Sequence, residues 1–136
     1  MIVVDANILL YAMIECDATP LTQALKNKDP DWRAPPLLMD ETLNVLATYE
    51  RRGILALDQC QALLRSTMAF MEAASIAVDF NLVLDLAARH RITGYDAQYV
   101  ALAQTLDVTL VTEDRKLREA VPGIALSLNE YLARSG

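Results

Sequence analysis

Histidine and cysteine are scarce in this chain. His90 is the only histidine, and Cys16 and Cys60 are the only cysteines, in 136 residues. Neither a CxxC pair nor a Cys/His spacing occurs, which argues against a zinc site and against a disulfide framework. A basic excess is also missing: the formal net charge is −6 and the sequence pI is about 4.6. That balance is the reverse of the basic face with which proteins grip nucleic acid through its phosphates. A nucleic-acid substrate would need metal ions or a local basic patch to carry the attraction. No long apolar run is present either. Asp5 and Asn7 interrupt the run that ends at Ile14, and the first residues lack a basic region. The chain therefore reads as having neither signal peptide nor membrane span, and a cytoplasmic location is expected. No internal repeat, linker or low-complexity segment stands out.

What is present is apolar mass, at 54% of the residues. A domain of this size buries roughly two-thirds of its unfolded surface, so one domain over 1–136 is expected. Short β-branched runs at 2–4, 75–78, 108–112 and 124–128 read as strands. Between them lie helical patterns at 8–14, 19–28, 37–52, 58–73, 80–91, 93–106, 115–120 and 129–134. The polar segment 27–33 reads as a loop. Asp58, with Gln61 three residues on, reads as the cap of the fourth helix, and Met68, Phe70 and Met71 read as its core side. Strands alternating with helices require crossovers, so the expected fold is a three-layer α/β/α arrangement with a mostly parallel sheet of about four to five strands.

Carboxylates recur at particular places on this plan. Asp5 follows the first strand, and Asp114 lies just past the strand at 108–112. In open α/β sheets ligands bind beyond the carboxyl ends of strands. Asp96 lies in the first turn of a helix capped by Thr93, inside the apolar arc between Val100 and Ala103, where a carboxylate faces protein and needs compensation. Singly, each is explained more simply as structure: Asp96 in a cap, Asp114 as the N-cap of the helix at 115–120, Asp79 as the N-cap at 80–91. The helix at 37–52 adds a polar stripe of Asp40, Glu41, Asn44 and Thr48, which is either a solvated face or the wall of a cleft. If Asp5, Glu41, Asp96 and Asp114 share a partly desolvated pocket, some must take up protons or bind cations. Oxygen ligands without Cys or His select hard ions such as Mg²⁺ or Mn²⁺, and such sites take phosphate oxygens as their remaining ligands.

Taken together, four segments resemble the PIN domain, and within it the VapC-type toxin ribonucleases. They are Asp5-Ala6-Asn7; Pro35-Pro36 followed by Glu41 and Asn44-Val45-Leu46; Tyr95-Asp96-Ala97 with Leu102-Ala103; and Leu110 to Leu117 containing Thr112-Glu113-Asp114-Arg115-Lys116. The resemblance implies that Asp5, Glu41, Asp96 and Asp114 are acidic ligands of one or two Mg²⁺ ions, with Mn²⁺ as a substitute. It further implies that Asn7 and Thr112 are polar helpers, and that the spacing to Asn44 selects Glu41 over Asp40. Endonucleolytic cleavage of RNA to a 5′-phosphate and a 3′-hydroxyl, a cognate antitoxin and a homodimer are expected on the same ground. Two departures stand out. Ala6 occupies a position where many relatives carry Ser or Thr. Arg115 and Lys116 stand where some carry a further acid, which weakens a second metal position and makes both residues candidate phosphate contacts.

Two other function classes fit parts of the pattern. An aspartate-based, metal-dependent phosphatase would use Asp5 as nucleophile, but it wants an acid where Asn7 stands and a lysine at the sheet edge, for which only Lys116 is available. A catalytically inactive PIN-like binding module would be expected to have lost one of the acids, and all four are present.

Overall fold

A computed structural model of the chain describes residues 1–134. Of the span 1–136 expected to form one domain, residues 135 and 136 therefore lie outside the described residues. The elements are β1 (Ile2–Val4), α1 (Ala6–Met13), α2 (Thr19–Lys28), β2 (Trp32–Arg33), α3 (Leu37–Arg51), α4 (Leu57–Ala74), α5 (Phe80–His90), α6 (Gly94–Leu106), β3 (Leu110–Val111), α7 (Arg115–Ala120), β4 (Ala125–Leu126) and α8 (Leu128–Ala133). Four parallel strands in the order β2-β1-β3-β4 form one sheet flanked by the helices, the three-layer α/β/α class expected. No helix among the described residues is long and apolar enough to cross a membrane.

Burial on both faces explains the strand sequences. Ile2, Val3, Val4, Leu110 and Val111 are all buried, and a run apolar on successive residues suits a strand covered on both sides. Each such side chain contributes roughly 1.5–3 kcal/mol on burial. Register then fixes the site. Val3 pairs with Leu110 and Val4 with Val111, so the next residues, Asp5 and Thr112, emerge side by side at the carboxyl edge of the two central strands. The chain leaves that edge at once on both strands, because Asp5 caps α1 by accepting from the Ile8 N–H at 3.0 Å and Asp114 caps α7 by accepting from the Leu117 N–H at 3.1 Å.

Helix ends follow local chemistry. Thr93 Oγ1 accepts from the Asp96 N–H at 3.0 Å and starts α6, and Asp79 caps α5 through the Asn81 N–H. Gly53, at φ +71, lets the chain fold back past α3, with Gly53 N–H donating to Glu50 O and Ile54 N–H to Tyr49 O. This left-handed closure is what a glycine after the last turn permits.

Four local expectations are corrected. The segment read as a loop contains the edge strand β2, whose Trp32 is buried and donates its Nε1–H to Asp29 O at 2.7 Å. The run at 75–78 makes only a single parallel bridge, Ser75 to Ala34, because its partner strand is short and Asp79 already begins a helix. The cap of α4 is Ala56, whose N–H is taken by the Gln59 side chain at 2.8 Å; Asp58 lies inside the helix. Finally, Met68, read as part of the core side of the fourth helix, is 54% exposed, and on α3 the apolar Leu43 is 50% exposed while the polar Thr42 beside it is fully buried.

Candidate active site

Thr112 ties the two strand ends together. Its hydroxyl donates to Asp5 Oδ2 at 2.5 Å and accepts from the Asp114 N–H at 3.1 Å. A buried hydroxyl must find partners, and here those partners are two of the candidate acids. Asp5 accepts from Thr112 on one oxygen and from the Ile8 N–H on the other, so its plane is fixed. Behind Thr112, the half-buried Arg118 donates to its carbonyl at 3.0 Å and pairs with Glu113 and Glu130, each at 3.6 Å.

The opposite wall comes from two helices. Glu41 on α3 accepts a 2.5 Å hydrogen bond from the Tyr99 hydroxyl. Tyr99 lies three residues after Asp96 on α6, which puts both on one face of that helix. Asp5, Glu41, Asp96 and Asp114 thus line one cleft of about 300 Å³, together with Asn7, Asn44 and Tyr99. The structure brings together residues from α3, α6 and the ends of β1 and β3. Asp40, the neighbour weighed against Glu41, is exposed and does not line this cleft; it lines an adjoining hollow together with Glu41, Asn44 and Tyr95. Arg115 and Lys116 are exposed and do not line the cleft; Arg115 pairs with Glu119 one turn on. None of the lining residues is basic, and Asn7 follows Asp5 by two, so aspartyl-phosphatase chemistry lacks both its cation and its general acid here. A larger groove of about 460 Å³ between α3 and α4 is mainly apolar and holds no group of acids.

The cleft's electrostatics follow from this crowding. Burial at the cleft floor pushes Asp5 from its ordinary 3.8 up to about 6; the hydrogen bonds from Thr112 and Ile8 oppose the rise, and the charges of Glu41 and Asp114 add to it. Burial likewise raises Glu41, with Asp96 adding and the Tyr99 bond opposing. Asp96 is raised by burial and then by the Asp114 charge. Tyr99 is held strongly protonated by its burial and by the Glu41 carboxylate. Among the described residues none of the four acids forms an ion pair.

This donor set fits a hard cation. All its donors are oxygens, the acids repel one another, and no protein cation compensates them. Among the described residues no three of His, Cys, Asp or Glu converge tightly enough to make a ready coordination shell. Mg²⁺ does not require one, because it commonly binds through one or two carboxylates and keeps several waters. Sequence reasoning missed Tyr99 and Arg118. The signal for Tyr99 was its spacing from Asp96, masked by its membership of an apolar arc. Arg118 carried no signal, since its partners lie at the end of β3, at Thr112 and Glu113, and at Glu130 in α8, at no helical spacing from it.

Comparisons with known proteins agree with this geometry. The PIN domain family profile matches residues 2–121. Ribonuclease VapC3 of Pyrobaculum aerophilum is 29% identical over 126 residues, which is 90% of this chain and 96% of that protein. A crystal structure from the same organism superposes with a TM-score of 0.73 at 22% identity, covering 98% of this chain and 94% of the other. A chain of a toxin–antitoxin complex from Klebsiella pneumoniae superposes with a TM-score of 0.69 at 21% identity, covering 94% and 98%. At these identities the two superpositions speak for the fold.

Proposed function

Because the chain belongs to the PIN domain family, we propose that it is a divalent-metal-dependent endoribonuclease and the toxin of a toxin–antitoxin pair. One observation carries this reading: carboxylates from four elements face a single cleft without a lysine or arginine to compensate them. A cluster of that kind is built for a cation supplied from outside. Asp5, Glu41, Asp96 and Asp114 are the residues that would hold Mg²⁺, with Mn²⁺ as a substitute. When bound, such an ion supplies a water of lowered pKa and stabilises charge on the phosphoryl oxygens.

The chain's own residues set the orientation. Asp5 is clamped at both oxygens, by Thr112 and Ile8. Asp114 commits Oδ1 to the Leu117 N–H, and Glu41 commits Oε1 to Tyr99. Asp114 Oδ2 and Glu41 Oε2 carry no hydrogen bond among the described residues, the Asp96 carboxylate is held only by Thr93, and each Asp5 oxygen, accepting a single hydrogen bond, keeps a second lone pair; these are the positions available to ligands. In-line attack by water on phosphorus breaks the bond to the 3′ oxygen, leaving a 3′-hydroxyl and a 5′-phosphate. Asn7 is a polar helper on the cleft wall. Lys116, exposed two residues past Asp114, is offered as an RNA phosphate contact, Arg115 being engaged by Glu119.

The partner side of the proposal is an antitoxin with a basic segment, matched to an acidic cleft on a chain of net charge −6. A homodimer belongs to the same reading: Phe80 and Leu84, one turn apart on α5, are 71% and 72% exposed and would be covered by a second copy. A cytoplasmic location belongs to the same proposal. Induced expression in a bacterial host tests the toxin reading. Growth arrest that disappears with Asp5→Asn supports it, and unimpaired growth with soluble wild-type chain opposes it.

A further inference from the structure

We infer that Tyr99 is a positioning residue, whose buried hydroxyl fixes Glu41 Oε1 and so keeps the Glu41 carboxylate in the cleft with Oε2 uncommitted. The inference rests on the nuclease reading and adds a residue to it.

Glu41 differs from the other three acids in how it is held. Asp5 and Asp114 are fixed by backbone N–H groups of the helices they cap, and Asp96 sits on a short side chain in a first turn. Glu41 has one more rotatable bond, stands in the second turn of α3, and receives no backbone hydrogen bond among the described residues. Like charges across the cleft favour its swinging outward. What restrains it is Tyr99, at 2.5 Å. Among the described residues this is the only side-chain to side-chain hydrogen bond joining α3 to another element, and it spans 58 positions of the chain. The Tyr99 ring is 2% exposed, packed within the core that holds its hydroxyl at the cleft wall. A rigid aromatic body with a polar tip suits this purpose, and a hydrogen bond to an ionised acceptor is among the stronger ones. One helix, α6, thereby supplies Asp96 directly and positions Glu41 through Tyr99.

A hydroxyl that merely satisfied its own burial would have no effect on cation binding. The test is Mn²⁺ titration of the purified full chain, followed by loss of the free-ion paramagnetic resonance signal, for wild type, Tyr99→Phe, Glu41→Gln and the double variant. Partners that orient ligands typically contribute 10–100-fold to affinity. The expected result is Mn²⁺ binding about tenfold weaker in Tyr99→Phe, no further loss when Tyr99→Phe is added to Glu41→Gln, and a fall in kcat for RNA with KM little changed. Should Phe at position 99 weaken the fold, titration in the cold, on protein whose folding is verified by circular dichroism, gives the same comparison. Wild-type affinity in Tyr99→Phe, with wild type itself binding and cleaving, overturns this inference alone. Absence of Mn²⁺ binding and of cleavage by wild type overturns the nuclease reading as well.

Discussion

Asp5→Asn should stabilise the metal-free protein at neutral pH and destroy its response to metal. In the folded chain Asp5 rises from 3.8 to about 6, whereas in the unfolded chain it titrates near its ordinary value. The sign follows from that rise. Below pH 3.8 the group is protonated in both states and costs nothing; as pH climbs through about 6 the folded state must carry a buried carboxylate, and stability is lost across that interval. A shift of this size corresponds to up to about 3 kcal/mol, at about 1.4 kcal/mol per pH unit. Asparagine removes the charge but offers one acceptor oxygen where Thr112 and the Ile8 N–H now use two, which costs about 1 kcal/mol. The net gain is about 2 kcal/mol at neutral pH, or about 6 °C in Tm for a domain of this size, and it is gone at about pH 4, where the folded Asp5 is protonated, the unfolded one is about half ionised, and the remaining wild-type penalty of about 0.5 kcal/mol no longer exceeds the lost hydrogen bond. Saturating Mg²⁺ should reverse the ranking, since a ligand at about 100 times its Kd stabilises wild type by about 2.7 kcal/mol. Thermal melts in EDTA and in Mg²⁺ at the two pH values measure all of this. A variant less stable than wild type in EDTA at neutral pH, or equal Mg²⁺ shifts in both proteins, would mean that Asp5 carries no uncompensated charge in the cleft and holds no cation.

Three further perturbations probe neighbouring parts of the cleft. Glu41→Gln should lower RNA cleavage at least about 100-fold, while the exposed Asp40→Asn leaves it within a factor of about two; the reverse outcome means that the wrong neighbour was chosen. Asp96→Asn should raise the Tm of the metal-free protein, because burial and the Asp114 charge both disfavour its ionised form, and should lessen stabilisation by Mg²⁺; an unchanged Mg²⁺ shift would make Asp96 a cap alone. Thr112→Val removes the donor to Asp5 and the acceptor for the Asp114 N–H. It should cost about 1–3 kcal/mol in denaturant unfolding and move the acid limb of the cleavage pH profile upward, since the lost bond had held Asp5 down; an unmoved limb would separate Thr112 from the chemistry.

Much of the fold was legible because it is written in local signals. β1 and its Asp5, the Thr93 start of α6, the Asp114 start of α7 and the Gly53 end of α3 are each decided within a few residues by β-branching, capping and positive φ. Strand register carried the site further than single residues could: once β1 and β3 are parallel neighbours, Asp5 and Thr112 must lie together. The failures are equally physical. Two-residue strands such as β2 are made by their partners, so the polar segment 27–33 looked like a loop although Trp32 is buried. The run at 75–78 looked like a strand because it is apolar, yet its one neighbour offers only a single bridge. Leu43 and Met68 show the limit of periodicity, because an apolar arc wider than the surface it covers leaves some members outside. Tyr99 was hidden in the same way, as a core residue whose single polar atom does the functional work.

Metal-dependent RNA cleavage at the acidic cleft is measured by incubating the purified chain with labelled total RNA, in Mg²⁺, in Mn²⁺ and in EDTA, beside an Asp5→Asn control. Four uncompensated acids in one cleft predict endonucleolytic products with 5′-phosphate ends in either metal, none in EDTA and none from Asp5→Asn. Cleavage that persists in EDTA or in Asp5→Asn, or intact RNA in both metals from chain free of any copurified inhibitor, would contradict it.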